Sequence, residues 1–174
     1  MPPSSRLEEL LALLRAAGPA SLGPGRRAAA LDLPPLERSL APLLEGIGAE
    51  DAALIRALVL LWHDHLDTSH EISQGIAGAD ASFVHGIMHR REPDYWNSKY
   101  WFRRAGKHPA FREIASRVSK LPASDPSVPW EPFAFVDAVE AACGHPGTGA
   151  PRPLLREAQQ IEFEVLLGHF VSRA

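Results

Sequence analysis

An all-α fold is predicted for this 174-residue chain by three observations. Apolar residues recur at three- and four-residue spacing between glycine and proline breaks, as on one face of a helix. No run of four to eight residues alternates apolar with polar between turn signals, so no strand is expected. No repeat of fixed period occurs, which argues against a solenoid. The expected architecture is a single-domain irregular helical bundle with an antiparallel helix pair at its centre. Residues 1–48 form an N-terminal helical extension and residues 50–174 the helical core.

The elements follow in order. Leu7, Leu10, Leu11 and Leu14 keep helical spacing behind the Ser5/Glu8 capping-box pair, giving a helix from about Arg6 to Ala17 that stops at Gly18-Pro19. Residues 18–35 read as a linker, and Asp32 caps a short helix ended by Gly46 and Gly48. From Asp51 to about Gln74 the pattern permits one long helix. Gly75 to Asp80 then make a tight connection, and Asp80 caps the next helix, through about Arg91. Pro93 ends that helix, because the residue before a proline is pushed out of the α region. Asp94 caps a helix through Arg104, Gly106 stops it and Pro109 opens another. Residues 121–132 form a proline-rich loop. Helices over about Phe133–Ala142 and Leu154–Ser172 follow, separated by the Gly/Pro-rich segment 144–153.

Composition narrows the function classes. With 45% hydrophobic and 22% charged residues the chain is an ordinary globular one, long enough to bury a core without disulfides. The net charge of −3 gives no general attraction to duplex nucleic acid or anionic lipid. No apolar run approaches the roughly 18 residues that span a membrane, and Glu8 and Glu9 interrupt the start, so a cytoplasmic protein without a membrane partner is expected. A lone cysteine, Cys143, forms no internal bridge; beside His145 it is a weak candidate nucleophile pair.

The chemistry concentrates in the histidines. Five of eight, His63, His65, His70, His85 and His89, fall within 27 residues. On a wheel of about 100° per residue, His63, Asp67, His70 and Gln74 form one narrow stripe with Asp64 and Glu71 at its edge, while His65 falls in the apolar sector. His85, His89 and Glu92 repeat the pattern on the next helix. A short connection makes the two helices antiparallel and sets His70 opposite His85, Asp67 level with Met88 and His89, and His63 level with Glu92. Asp67, His70, His85 and His89 are therefore the candidate ligands of one ion, with His63 and Asp64 beside them. A buried non-metal polar network fits the same stripe, which contains no lysine and only short side chains.

Known motifs are absent. His63-Asp64 lacks the earlier histidine that the HD phosphohydrolases require, Gly86 stands where HExxH has its glutamate, and there is neither a P-loop nor a GxGxxG run. From Arg90 to Lys107, six basic residues face Glu92 and Asp94, with Tyr95, Trp96, Tyr100, Trp101 and Phe102 among them. Such a segment suits a small anionic ligand, or simply core aromatics with arginines at a helix C-terminus. Arg90 and Arg103 are the candidate anion-holding residues.

Trp62-His63-Asp64, Leu66-Asp67, Ser69-His70, then His85-Gly86-Ile87-Met88-His89-Arg90-Arg91-Glu92-Pro93-Asp94-Tyr95, Asn97, Lys99-Tyr100-Trp101-Phe102-Arg103-Arg104 and His108-Pro109 resemble a family of short, largely uncharacterised proteins of bacteria and fungi. The resemblance covers about residues 60–111, with a looser echo at Gln160 to Leu167, and implies no activity or cofactor.

The functional expectation is a metal-assisted, hydrolase-like enzyme acting on a small polar or anionic substrate. Asp67, His70, His85 and His89 hold a divalent ion, with zinc, iron, manganese and nickel not distinguished. Asp64 or His63 takes a proton from the bound water, and Arg90 or Arg103 holds the substrate's charge. The alternative is a non-enzymatic ligand-binding or interaction protein whose His/Asp network is structural.

Overall fold

The computed structural model describes residues 2–122, 124, 130–144 and 152–173. Among them are nine helices and no strand: α1 (Pro3–Ala16), α2 (Leu33–Leu44), α3 (Ala49–Trp62), α4 (Leu66–Gln74), α5 (Ala79–Arg91), α6 (Tyr95–Ala105), α7 (Ala110–Val118), α8 (Pro132–Gly144) and α9 (Arg152–Val171). The all-α bundle is as the spacing predicts. From Ala57 to its end helix α3 is apolar on every side: Ala57, Leu58, Val59, Leu60, Leu61 and Trp62 are all buried, as are Leu54 and Ile55 before them. Such a helix belongs at the centre of the bundle, and α1, α2, α4, α5 and α9 pack around it. The N-terminal helices share this core: Leu10, Leu14, Leu36 and Leu40 are buried in it, and Trp62 Nε1 donates to the Leu14 carbonyl at 2.9 Å.

The principal departure from expectation is a break in the helix drawn over residues 51–74. Helix α3 ends at Trp62, Asp64 adopts a left-handed backbone (φ 68°), and α4 starts at Leu66. Aspartate tolerates this conformation better than most residues, and here long-range partners hold it. Its buried carboxylate accepts from the Arg27 backbone N–H (2.9 Å), from Arg27 Nε (3.0 Å) and from Arg91 Nη2 (2.6 Å). The same two guanidiniums donate to the Trp62 and Leu61 carbonyls, satisfying the end of α3. Residues 18–35 are thus an anchoring segment rather than a linker. Arg27 also donates to the carbonyls of Ala17, Gly18 and Pro19.

Caps follow the sequence unevenly. Asp94 caps α6 by accepting from the Asn97 N–H at 3.2 Å, and Gly106 (φ 63°) ends it. Asp80 does not cap α5: the N-cap is Gly78, and the Asp80 side chain instead reaches His108, His169 and Arg173. Helices α5 and α6 pack closely because Gly86 leaves room for the Phe102 ring; a Cβ there would lie 3.1 Å from it.

Candidate metal centre

His85 and His89 lie one turn apart on the buried α5, and His70 approaches them from α4. The His70 ring centroid is 4.7 Å from that of His85 and 5.2 Å from that of His89, edge-on to both. The His85 and His89 rings are nearly parallel at 4.7 Å. One ring nitrogen from each of the three falls within 4.8 Å of the other two. The register read from the sequence thus brings His70, His85 and His89 together. Asp67, one turn before His70, is exposed and stands outside this set.

The environment of His85 is the unusual part. The residue is buried, and the Trp101 indole covers it at 3.9 Å between centroids and 11° between planes. Neither ring nitrogen has a hydrogen-bond partner among the described residues. A neutral imidazole so placed leaves one donor and one acceptor unpaired, each costing about 1–3 kcal/mol. Burial, reinforced by His89 and His70, lowers the His85 pKa to about 3, so the ring is neutral at physiological pH. The His89 pKa is also lowered by burial, with Glu92 opposing the shift. His89 Nδ1 lies 3.1 Å from Glu92 Oε2, and the Asn97 amide nitrogen lies 3.0 Å from His89 Nε2.

The remaining residues singled out by sequence go elsewhere. His63 belongs to the wheel of a continuous helix, and the break at Asp64 removes it from the stripe: its Nδ1 accepts from the Leu31 N–H at 3.1 Å, and burial lowers its pKa to about 4. His65, placed by the wheel in the apolar sector, is half-buried and hydrogen-bonds the Leu31 carbonyl at 2.9 Å. Asp64 is committed to Arg27 and Arg91, so it is not available as a base for the three histidines. Arg90 is fully buried against Glu162, also fully buried, and lies 4.4 Å over the Phe135 ring. Glu162 sits 72 residues away in sequence, which is why local spacing did not reveal this pair. Arg103 is exposed beside Phe133. For His145, the candidate partner of Cys143, the position lies outside the described residues.

In the sequence Trp101 reads only as one of the aromatics of the Arg90–Lys107 segment, and Asn97 carries no role; both are neighbours of the site. Their i, i+4 spacing on α6 was the available signal, but only the α5–α6 packing shows which face it serves.

A second cluster satisfies the same distance condition: Asp80, His108 and His169. Asp80 Oδ1 accepts from His108 Nε2 (2.7 Å) and His169 Nε2 (3.0 Å), and Oδ2 accepts from Arg173 Nη1 (2.7 Å). His108 Nδ1 accepts from the Ala110 backbone N–H at 3.2 Å, which requires the ring proton to be on Nε2. The His108 hydrogen bond, supported by Arg173, holds the Asp80 carboxyl well below the usual carboxylate range. A groove of about 460 Å³ between α1, α7 and α9 borders His169 but contains none of the three clustered histidines on α4 and α5.

Comparison with protein-family models, curated proteins and solved structures finds no match to this chain.

Proposed function

We propose that His70, His85 and His89 bind one divalent metal ion and that this ion serves a hydrolytic reaction on a small polar or anionic substrate. The observation that carries the proposal is the buried His85 ring with both nitrogens unpartnered, set among two further imidazoles. An ion would take the lone pair that no protein donor takes. Nitrogens bound to one tetrahedral zinc at about 2.0–2.1 Å lie about 3.3 Å apart, so modest side-chain rotations would close the set. Three neutral nitrogen donors favour zinc, nickel or iron over the hard, oxygen-seeking ions magnesium and calcium, with manganese less suited than the first three.

Three protein ligands would leave a coordination position for water, and the chemistry an ion of this type would supply there is a lowered water pKa, about 7 in general. Asp67, exposed three residues before His70 on α4, is the carboxylate assigned to take the proton. Arg90 is buried against Glu162 and Arg103 is exposed beside Phe133, so neither is assigned the substrate's negative charge. Aqueous solution on the His70 side, which is only partly buried, gives the substrate its approach.

Protein purified without a metal-affinity tag and stripped with chelator tests this by calorimetric titration with Zn²⁺, followed by assay against chromogenic phosphate and carboxylate esters. One ion per chain, lost in His85→Ala, with ester hydrolysis that depends on the ion, is expected. Absence of binding, or binding indifferent to His85, contradicts the metal reading. Stoichiometric binding without hydrolysis of either ester class contradicts the enzymatic half and returns the site to the non-enzymatic alternative.

A further inference from the structure

The chain turns sharply after α5, and the turn wraps His89. The Asp94 N–H donates to the His89 carbonyl at 3.0 Å, and Asp94 Oδ1 caps the Asn97 N–H. This bend brings Glu92, three residues after His89, back against its ring, with Oε2 3.1 Å from Nδ1. A carboxylate only accepts, so Nδ1 carries the proton and Nε2 keeps the lone pair.

Asn97 does not consume that lone pair. Its amide nitrogen is 3.0 Å from Nε2 and 3.4 Å from Nδ1. A donor on the Nε2 lone-pair axis would be much farther from Nδ1 than from Nε2, because the other nitrogen lies across the ring. Near-equal distances put the amide over the ring face or beside the edge between the nitrogens, where hydrogen-bond alignment is poor.

We infer that Glu92 is a positioning residue that fixes His89 as the Nδ1–H tautomer and thereby presents Nε2 to the ion. The consequence for metal binding rests on the proposed reading of His70, His85 and His89, whereas the tautomer is a property of the metal-free protein. Glu92 also supplies a negative charge that three neutral imidazoles lack. Carboxylate partners of this kind orient a ligating histidine and raise its basicity, and their loss typically weakens metal binding 10–100-fold, as an order of magnitude. The Glu92 side chain is 48% exposed, so its replacement leaves the core packing in place.

The test combines two measurements on the full chain. Long-range ¹H–¹⁵N NMR of the metal-free protein reads which His89 nitrogen is protonated, and competition with a chromophoric chelator reads Zn²⁺ affinity. The parent is expected to show Nδ1–H. Glu92→Ala is expected to move His89 toward Nε2–H and to weaken Zn²⁺ binding about 10–100-fold, with Glu92→Asp recovering part of both and the melting temperature nearly unchanged. An Nε2–H tautomer in the parent, or a Glu92→Ala protein that keeps both the Nδ1–H tautomer and the parent's affinity, overturns the inference. A parent with Nδ1–H that Glu92→Ala shifts, but with no Zn²⁺ binding, supports the positioning of His89 and overturns the metal reading alone.

Discussion

The cluster of His70, His85 and His89 and the cluster of Asp80, His108 and His169 both bring three metal-ligating groups within 4.8 Å, yet they are in opposite states. Around Asp80 the hydrogen bonding is closed. His108 must carry its proton on Nε2 because its Nδ1 accepts from Ala110, and that proton goes to Asp80, which also receives His169 and Arg173. Binding a cation through His108 Nε2 would require moving its proton to Nδ1, which breaks the hydrogen bonds to Asp80 and from Ala110. Around His85 the hydrogen bonding is open, with two buried nitrogens lacking any partner among the described residues. Proximity is common to both; whether protein partners occupy the ring nitrogens separates the clasp around Asp80 from the ligand set proposed at His85.

Metal affinity should respond most strongly. His85→Ala and His70→Ala are each expected to weaken Zn²⁺ binding about 1,000-fold, about 4 kcal/mol, and the double variant to add little, since ligands of one ion act as a unit. Calorimetry on the three proteins checks this, and independent, additive losses would show that the two histidines do not ligate one ion.

The closed side is tested by stability. Asp80→Ala strips His108, His169 and Arg173 of their shared acceptor and is expected to cost about 2–4 kcal/mol in urea unfolding, with Zn²⁺ stoichiometry unchanged. Asp80 also sets a pH dependence. Its folded-state pKa lies below the unfolded value, so its stabilisation is fully present above the ordinary carboxylate pKa and is lost as pH falls toward the folded one. The stability difference between parent and Asp80→Asn should therefore be largest above about pH 5 and shrink below about pH 4. A difference that grows on acidification would contradict the assignment.

A smaller effect is expected where the open site meets α6. Gly86→Ala puts a methyl 3.1 Å from the buried Phe102 ring and should cost about 1–3 kcal/mol, read by thermal unfolding. The smallest is His85→Leu in metal-free protein. It removes two unpaired buried nitrogens and should leave stability within about 1 kcal/mol of the parent, or raise it, in contrast to Asp80→Ala.

The half of the site written in helical spacing was legible in the sequence. His85 and His89 share a face because they are four residues apart, and a short connection places His70 opposite them. What escaped depends on contacts between distant residues. The break at Asp64 is held by Arg27 and Arg91, 37 and 27 residues away, so no local signal separates His63 from the stripe. Arg90 leaves its helix at an angle compatible with the site, but Glu162 is what it meets. Asp80 has good capping chemistry for a helix start, and its three partners come from residues 108, 169 and 173. Gly86, which sequence comparison with HExxH marks only as a missing glutamate, is explained by the approach of Phe102.

An anomalous-difference map at the zinc edge, from crystals grown with Zn²⁺, locates the ion itself. One peak is expected, about 2.0–2.1 Å from a ring nitrogen of each of His70, His85 and His89, with His89 bound through Nε2. A peak between Asp80, His108 and His169 instead, or none at the three histidines under saturating Zn²⁺, would rule out the proposed site.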